Sequence, residues 1–143
     1  MEISETVSYE ITDYKGNKVG RLLNEGFALL PREVYAGTDD PNPIWKAEVL
    51  PKERYILSIR KAPTNITDKR LYALLERKEE RAEWWLVPRF EMGEGLFQVK
   101  DSASRTVWTV PAGQHPVQIA LQPSQAKKTE QLFKFTRVES SEV

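Results

Sequence analysis

Apolar and polar positions alternate with period two along much of this chain, in short runs separated by turn residues. The clearest run covers residues 83–90, Glu-Trp-Trp-Leu-Val-Pro-Arg-Phe, and residues 44–49 and 132–137 repeat its pattern, each with an aromatic residue near the start. Trp45, Trp85 and Phe133 stand 40 and 48 residues apart. A second series, at 7–11, 55–59 and 96–99, places Tyr9, Tyr55 and Phe97 at intervals of 46 and 42. After each of the first two aromatic runs, a turn (51–54, then 92–95) leads directly into a strand of the second series. The third aromatic run reaches the end of the chain, so its partner has to come from the beginning. Two interleaved series with one period, about a third of the chain, predict a threefold repeat whose last strand closes against its first.

The remaining segments fill in this frame. Residues 6–13 read as the first strand, Lys15-Gly16-Asn17 as a turn with Gly16 free to take a positive φ, and 18–22 as the next strand. Residues 23–31 alternate poorly and end in Pro31, which biases Leu30 towards extended backbone, so they form a loop that carries apolar side chains. A short strand at 33–36 follows, and Asp39-Asp40-Pro41-Asn42-Pro43 breaks the chain before Trp45. Residues 61–65 read as a turn cluster. Leu71-Tyr72-Ala73-Leu74-Leu75 suits a helix by propensity, but the matching place in the third unit, 116–121, alternates with period two, so 71–75 is assigned as strand. Residues 106–110 add a strand, 112–115 a turn, 123–129 a polar loop and 140–143 a frayed tail. Four short strands in each of three units give an all-β, twelve-stranded architecture in which closure removes exposed edges. That is the pattern of a β-trefoil, expected here as a single domain over 1–143 with repeats at roughly 6–50, 51–91 and 92–139. Trp45, Trp85 and Phe133 are expected to stack round its axis as core.

Composition narrows the function. A chain of 143 residues suits one domain and can bury roughly two-thirds of its unfolded surface. Its 21 basic residues balance 21 acidic ones, so no net field draws it to nucleic acid or an anionic membrane. Cysteine is absent, which removes disulfides, zinc–thiolate sites and thiol nucleophiles together. The acidic N-terminus shows no basic segment followed by an apolar run, so a cytoplasmic location is expected. Asn65-Ile66-Thr67 matches a glycosylation acceptor but reads as an unmodified turn on that view. His115 is the single histidine, and no Gly-x-Ser-x-Gly elbow is present, which leaves little for a nucleophile–base couple. Asp39-Asp40 lacks the spacing of a calcium loop, the glycines fit no phosphate-binding pattern, and the mixed charges at 76–81 read as a solvated tip. The expectation is therefore a binding module rather than an enzyme, without cofactor or metal, acting through its loops.

Several stretches together resemble a known family. They are Val19-Gly20-Arg21, Ala28-Leu29-Leu30-Pro31-Arg32-Glu33-Val34-Tyr35, Ile44-Trp45 with Leu50-Pro51 and Tyr55, Leu71-Tyr72-Ala73-Leu74-Leu75, Glu83-Trp84-Trp85, Trp108-Thr109-Val110-Pro111, Ile119-Ala120-Leu121-Gln122-Pro123 and Gln131-Leu132-Phe133-Lys134-Phe135. In this order and spacing they are similar to the mushroom β-trefoil serine-protease inhibitors of the cospin type. The resemblance implies a cysteine-free, cytosolic, basidiomycete trefoil that reversibly blocks a trypsin-like, chymotrypsin-like or subtilisin-like serine protease with one exposed loop; a monomer is expected. It further implies that the loop lies between the second and third strands, here 23–31, with Leu30 presented to the protease and Leu29, Pro31 and Arg32 flanking it. Leucine fits an apolar primary pocket better than one built around a carboxylate. Arg32 and Arg21 compete for the same role; Arg21 ranks last because it lies in a strand-like stretch. Two alternatives stand beside this reading: a carbohydrate-binding trefoil lectin, since fold alone does not choose function, and an inhibitor of cysteine proteases.

Overall fold

The computed structural model describes residues 6–138, so the frayed tail expected at 140–143 lies outside the described residues. In chain order the strands are β1 (Thr6–Thr12), β2 (Val19–Gly20), β3 (Arg32–Glu33), β4 (Tyr35–Ala36), β5 (Trp45–Leu50), β6 (Arg54–Ile59), β7 (Ala62–Thr67), β8 (Arg70–Ala73), β9 (Trp84–Pro88), β10 (Leu96–Asp101), β11 (Thr106–Thr109), β12 (Val117–Gln118), β13 (Ala120–Pro123) and β14 (Phe133–Arg137). Single 3₁₀ turns are the only helical segments among the described residues.

Six of the strands close into an antiparallel barrel, in the cyclic order β1, β5, β6, β9, β10, β14 and back to β1. The two aromatic series meet across it. Tyr9 lies opposite Trp45, Tyr55 opposite Trp84, and Phe97 opposite Phe133. The expected closure of the last strand on the first is present, with Ile11 facing Phe135. The other strands form hairpins over one end of the barrel, and a ring of three backbone hydrogen bonds ties them together. Val34 N–H donates to the Leu71 carbonyl (3.2 Å), Leu71 N–H to Ile119 (3.0 Å) and Ile119 N–H to Val34 (3.0 Å). All three residues are fully buried. A barrel and cap related by threefold repetition make this a β-trefoil.

The core departs from expectation at one tryptophan. Trp84, not Trp85, is fully buried, alongside Trp45 and Phe133. The register of β9 is the reason: Trp84 sits opposite Asp101 and Trp85 opposite Lys100, and neighbouring residues of a strand face opposite sides. Trp108 lies at the centre, with ring centroids 5.5 Å from Trp45, 5.7 Å from Trp84 and 5.6 Å from Phe133. Such tilted and edge-to-face contacts add about 0.5–1.5 kcal/mol each beyond burial. The indole N–H of Trp45 donates to the Val19 carbonyl (2.8 Å), and that of Trp84 donates to Thr64 Oγ1 (2.9 Å). Burying them therefore leaves neither donor unpaired.

Three further differences are local. Fourteen strands replace twelve because Val34 and Ile119 turn aside into the hydrogen-bonded ring, splitting β3 from β4 and β12 from β13. The strand expected at 18–22 shrinks to Val19–Gly20. The turn expected over 61–65 contracts to Arg60 and Lys61, both at positive φ, and Ala62, Pro63 and Thr64 continue as buried strand. Residues 71–75 are strand as far as Ala73, with Leu74 and Leu75 beyond its end.

Candidate functional site

Between β2 and β3 the chain leaves the cap for eleven residues, Arg21 to Pro31, with no regular structure. Gly20 sets the departure point: a Cβ there would meet Pro43 Cβ at 2.7 Å and Ile59 Cδ1 at 3.0 Å, so only glycine lets β2 lie this close to its neighbours. The next residues are held by ion pairs rather than by strand pairing. Arg21 turns inward and binds Glu25 through two bonds, Nε to Oε2 at 3.0 Å and Nη2 to Oε1 at 2.6 Å, with both side chains about nine-tenths buried. Arg60 and Arg32 approach the same carboxylate at 3.7 and 3.9 Å. Three guanidinium groups thus converge on one acid. Arg60 also donates to the carbonyls of Arg21 (3.1 Å) and Leu22 (2.9 Å) and to Asp40 Oδ2 (3.3 Å), while Leu23 N–H donates to Asp39 Oδ1 (3.0 Å). Asp39 and Asp40, read from sequence as part of a chain-breaking cluster before Trp45, hold the stem of this loop.

The distal half is held from behind by Arg32. Its guanidinium donates to the backbone carbonyls of Glu25, Gly26 and Ala28, and its side chain is 12% exposed. Gly26, at φ +84°, turns the chain outward between two of these anchors. The outer surface of the loop is apolar. Phe27 is as exposed as a side chain can be, at 102%, and Leu23, Leu29 and Leu30 are 57%, 60% and 65% exposed. Charged and polar groups therefore tie the inside of the loop to the scaffold while its hydrophobic groups point into solvent, the reverse of ordinary burial.

Of the residues picked out from sequence, Leu29, Leu30 and Pro31 all lie exposed on the limb that returns to β3. Arg32 does not project with them; it folds back under the loop. Arg21 is buried, in keeping with its low rank as a presented residue. Phe27, the most exposed of the loop's apolar side chains, is not among the residues picked out from sequence; its one signal there is an aromatic residue directly after a glycine in a stretch with no periodicity.

The rest of the described surface offers less. His115 Nε2 lies 3.4 Å from Asp13 Oδ2 and 3.2 Å from Asn17 Nδ2, and Asp13 also accepts the backbone N–H groups of Lys15 and Asn17, so this cluster pins a turn. Among the described residues no three His, Asp or Glu side chains converge to hold a metal. Trp84 and Trp108 are both in the core and present no ring to a sugar. A concavity of about 530 Å³, lined by Tyr9, Leu86, Phe90, Phe97 and Phe135, shares no residue with the loop. The loop is a projecting apolar segment on a base fixed by charged groups.

The family model described as Peptidase inhibitor I66 matches residues 1–137. A proteinase inhibitor from Coprinopsis cinerea is similar in structure, with a TM-score of 0.85 and 28% identity over 94% of this chain and 99% of that one. The fold also matches the designed threefold-symmetric protein ThreeFoil (TM-score 0.71, 12% identity, 92% and 99% covered) and SeviL, solved bound to asialo-GM1 saccharide (TM-score 0.69, 9% identity, 94% and 100% covered). At those identities the likeness extends to the fold alone. No curated protein sequence matches. The whole-chain family match, together with the shared fold of the Coprinopsis inhibitor, shows that this chain belongs to the peptidase inhibitor I66 family, a protease inhibitor and not an enzyme.

Proposed function

We propose that this protein is a reversible, monomeric inhibitor of serine proteases that inserts the Arg21–Pro31 loop into the active-site cleft. One observation carries the reading: the loop's apolar side chains project into solvent while its backbone is fastened from beneath by Arg32, Arg60 and the Glu25 cluster. A free loop of this length would lose much conformational freedom on docking. A fastened one has already lost it, so more of the contact energy appears as affinity. Leu29, Leu30 and Pro31 extend the contact on one side of the apex, and proline is a poor residue to cleave before because its ring fixes φ and restricts the residue ahead of it. Apolar side chains suit a primary pocket that is a hydrophobic slot and not one with a carboxylate at its base.

Inhibition constants against chymotrypsin, subtilisin, elastase, trypsin and papain test this directly. Chymotrypsin or subtilisin should be inhibited most strongly, trypsin weakly and papain least. Inhibition of papain alone would move the protein to the cysteine-protease class and remove this loop's assigned partner.

A further inference from the structure

The apex of the loop is Phe27, and we infer that Phe27, rather than Leu30, is the side chain that enters the primary pocket of the target, with Arg32 as the clamp that holds the peptide on either side of it. This rests on the reading of the loop as the docking element and goes one step further, to the residue and the class of enzyme.

Three observations point to Phe27. It is the most exposed large apolar side chain among the described residues, 102% against 65% for Leu30, so it can be swallowed whole by a pocket without first leaving a contact of its own. A single guanidinium fastens the carbonyls before it, those of Glu25 and Gly26, and the carbonyl after it, that of Ala28. Among the described residues, no hydrogen bond reaches the intervening carbonyl of Phe27. An inhibitor's presented residue needs this combination. Its own carbonyl must reach the oxyanion-stabilising donors of the enzyme, while its neighbours must not move. Among the described residues, no side chain clamps Leu29 or Leu30 in this way.

The clamp also gives a reason for inhibition in place of turnover. When the enzyme's serine hydroxyl adds to the Phe27 carbonyl carbon and the Phe27–Ala28 C–N bond breaks, the Ala28 nitrogen leaves as an amine carrying the proton the serine gave up. In an ordinary substrate that amine diffuses away. Here the Ala28 carbonyl stays bonded to Arg32, so the amine remains beside the acyl carbon, attacks the ester and restores the peptide as the serine regains its proton. A phenylalanine in this position selects an enzyme with a deep, uncharged, apolar primary pocket, the chymotrypsin-like class or a subtilisin-like relative.

Because Phe27 makes no core contact, its variants should fold normally. Phe27→Gly should weaken inhibition of chymotrypsin by ~30-fold or more, as truncating an interface anchor does, while Leu30→Gly has a smaller effect. Phe27→Arg should transfer inhibition to trypsin. Arg32→Ala should keep the melting temperature of the core yet be cleaved at the Phe27–Ala28 bond during hours of incubation, a change that Arg32→Lys should only partly reproduce; mass spectrometry of the fragments reads the site. Inhibition lost with Leu30→Gly but kept with Phe27→Gly, or slow cleavage at Leu30–Pro31, would overturn the assignment while leaving the loop as inhibitory element. Inhibition unchanged by both variants would overturn the loop as well.

Discussion

Removing the charge of Glu25 should loosen the Arg21–Pro31 loop without touching any residue that projects from it. Its carboxylate is shared by Arg21 at 2.6 Å, Arg60 at 3.7 Å and Arg32 at 3.9 Å. Glu25→Gln keeps the shape and leaves three guanidinium groups facing a neutral amide. Breaking a fully buried pair from one side costs about 3–5 kcal/mol, and an exposed pair is worth about 0–1 kcal/mol. With Arg21 8% and Glu25 12% exposed, the site lies nearer the buried limit, so about 2–3 kcal/mol is the working figure. At an unfolding entropy of about 2.1 cal/mol/K per residue over 143 residues, this lowers the melting temperature by about 7–10 °C. Calorimetry should read that drop, and the inhibition constant should rise in parallel as the loop loses its fastening. Adding Arg21→Met should recover much of the stability by removing the stranded charge, but not the inhibition, because Arg32 and Arg60 still lack their shared acceptor. Unchanged melting and unchanged inhibition in Glu25→Gln would refute this view of the loop's base.

Two other expectations follow from the core and its rim. Trp84→Ala should cost about 3–5 kcal/mol in urea unfolding and Trp85→Ala less than half of that, because only the first fills the centre against Trp108; equal losses would mean that the register of β9 is wrong. The Tyr35 hydroxyl is held protonated above its ordinary 10.0, first by burial and then by Glu33 and Tyr72. A raised value in the folded state means that its contribution to stability is complete below pH 10 and is lost as pH rises through the folded value. Tyr35→Phe should flatten the alkaline fall of the melting temperature; an unaltered fall would assign it to other groups such as Tyr55, which burial also raises.

The barrel was legible because its residues alternate in and out with period two, and because Tyr9, Tyr55 and Phe97 repeat against a second aromatic series. Which of two adjacent tryptophans faces inward depends on strand register, and periodicity alone does not set register; hence Trp85 in place of Trp84. Trp108 as the hub was not visible, since its partners come from three different strands. The ring through Val34, Leu71 and Ile119 is made of backbone groups, which carry no residue code. At the loop, the irregular apolar stretch could be read directly and was. Its fastening could not, because Arg60 lies 38 residues beyond Leu22, and folding alone brings them together. Pro31 signals a restricted backbone, but it says nothing of which nearby side chain points outward. That depended on Gly26 turning the chain and on Arg32 folding beneath it.

The central claim is that the loop occupies the protease active site. Binding to chymotrypsin whose catalytic serine carries a bulky aromatic sulfonyl group, compared with the free enzyme in a calorimetric titration, tests it most directly. That group fills the primary pocket and leaves the remaining surface of the enzyme as it was. Tight binding to free chymotrypsin and a loss of at least ~100-fold, about 2.7 kcal/mol, with the blocked enzyme is the expected result. Equal affinity for the two forms would place the contact outside the active site and contradict it.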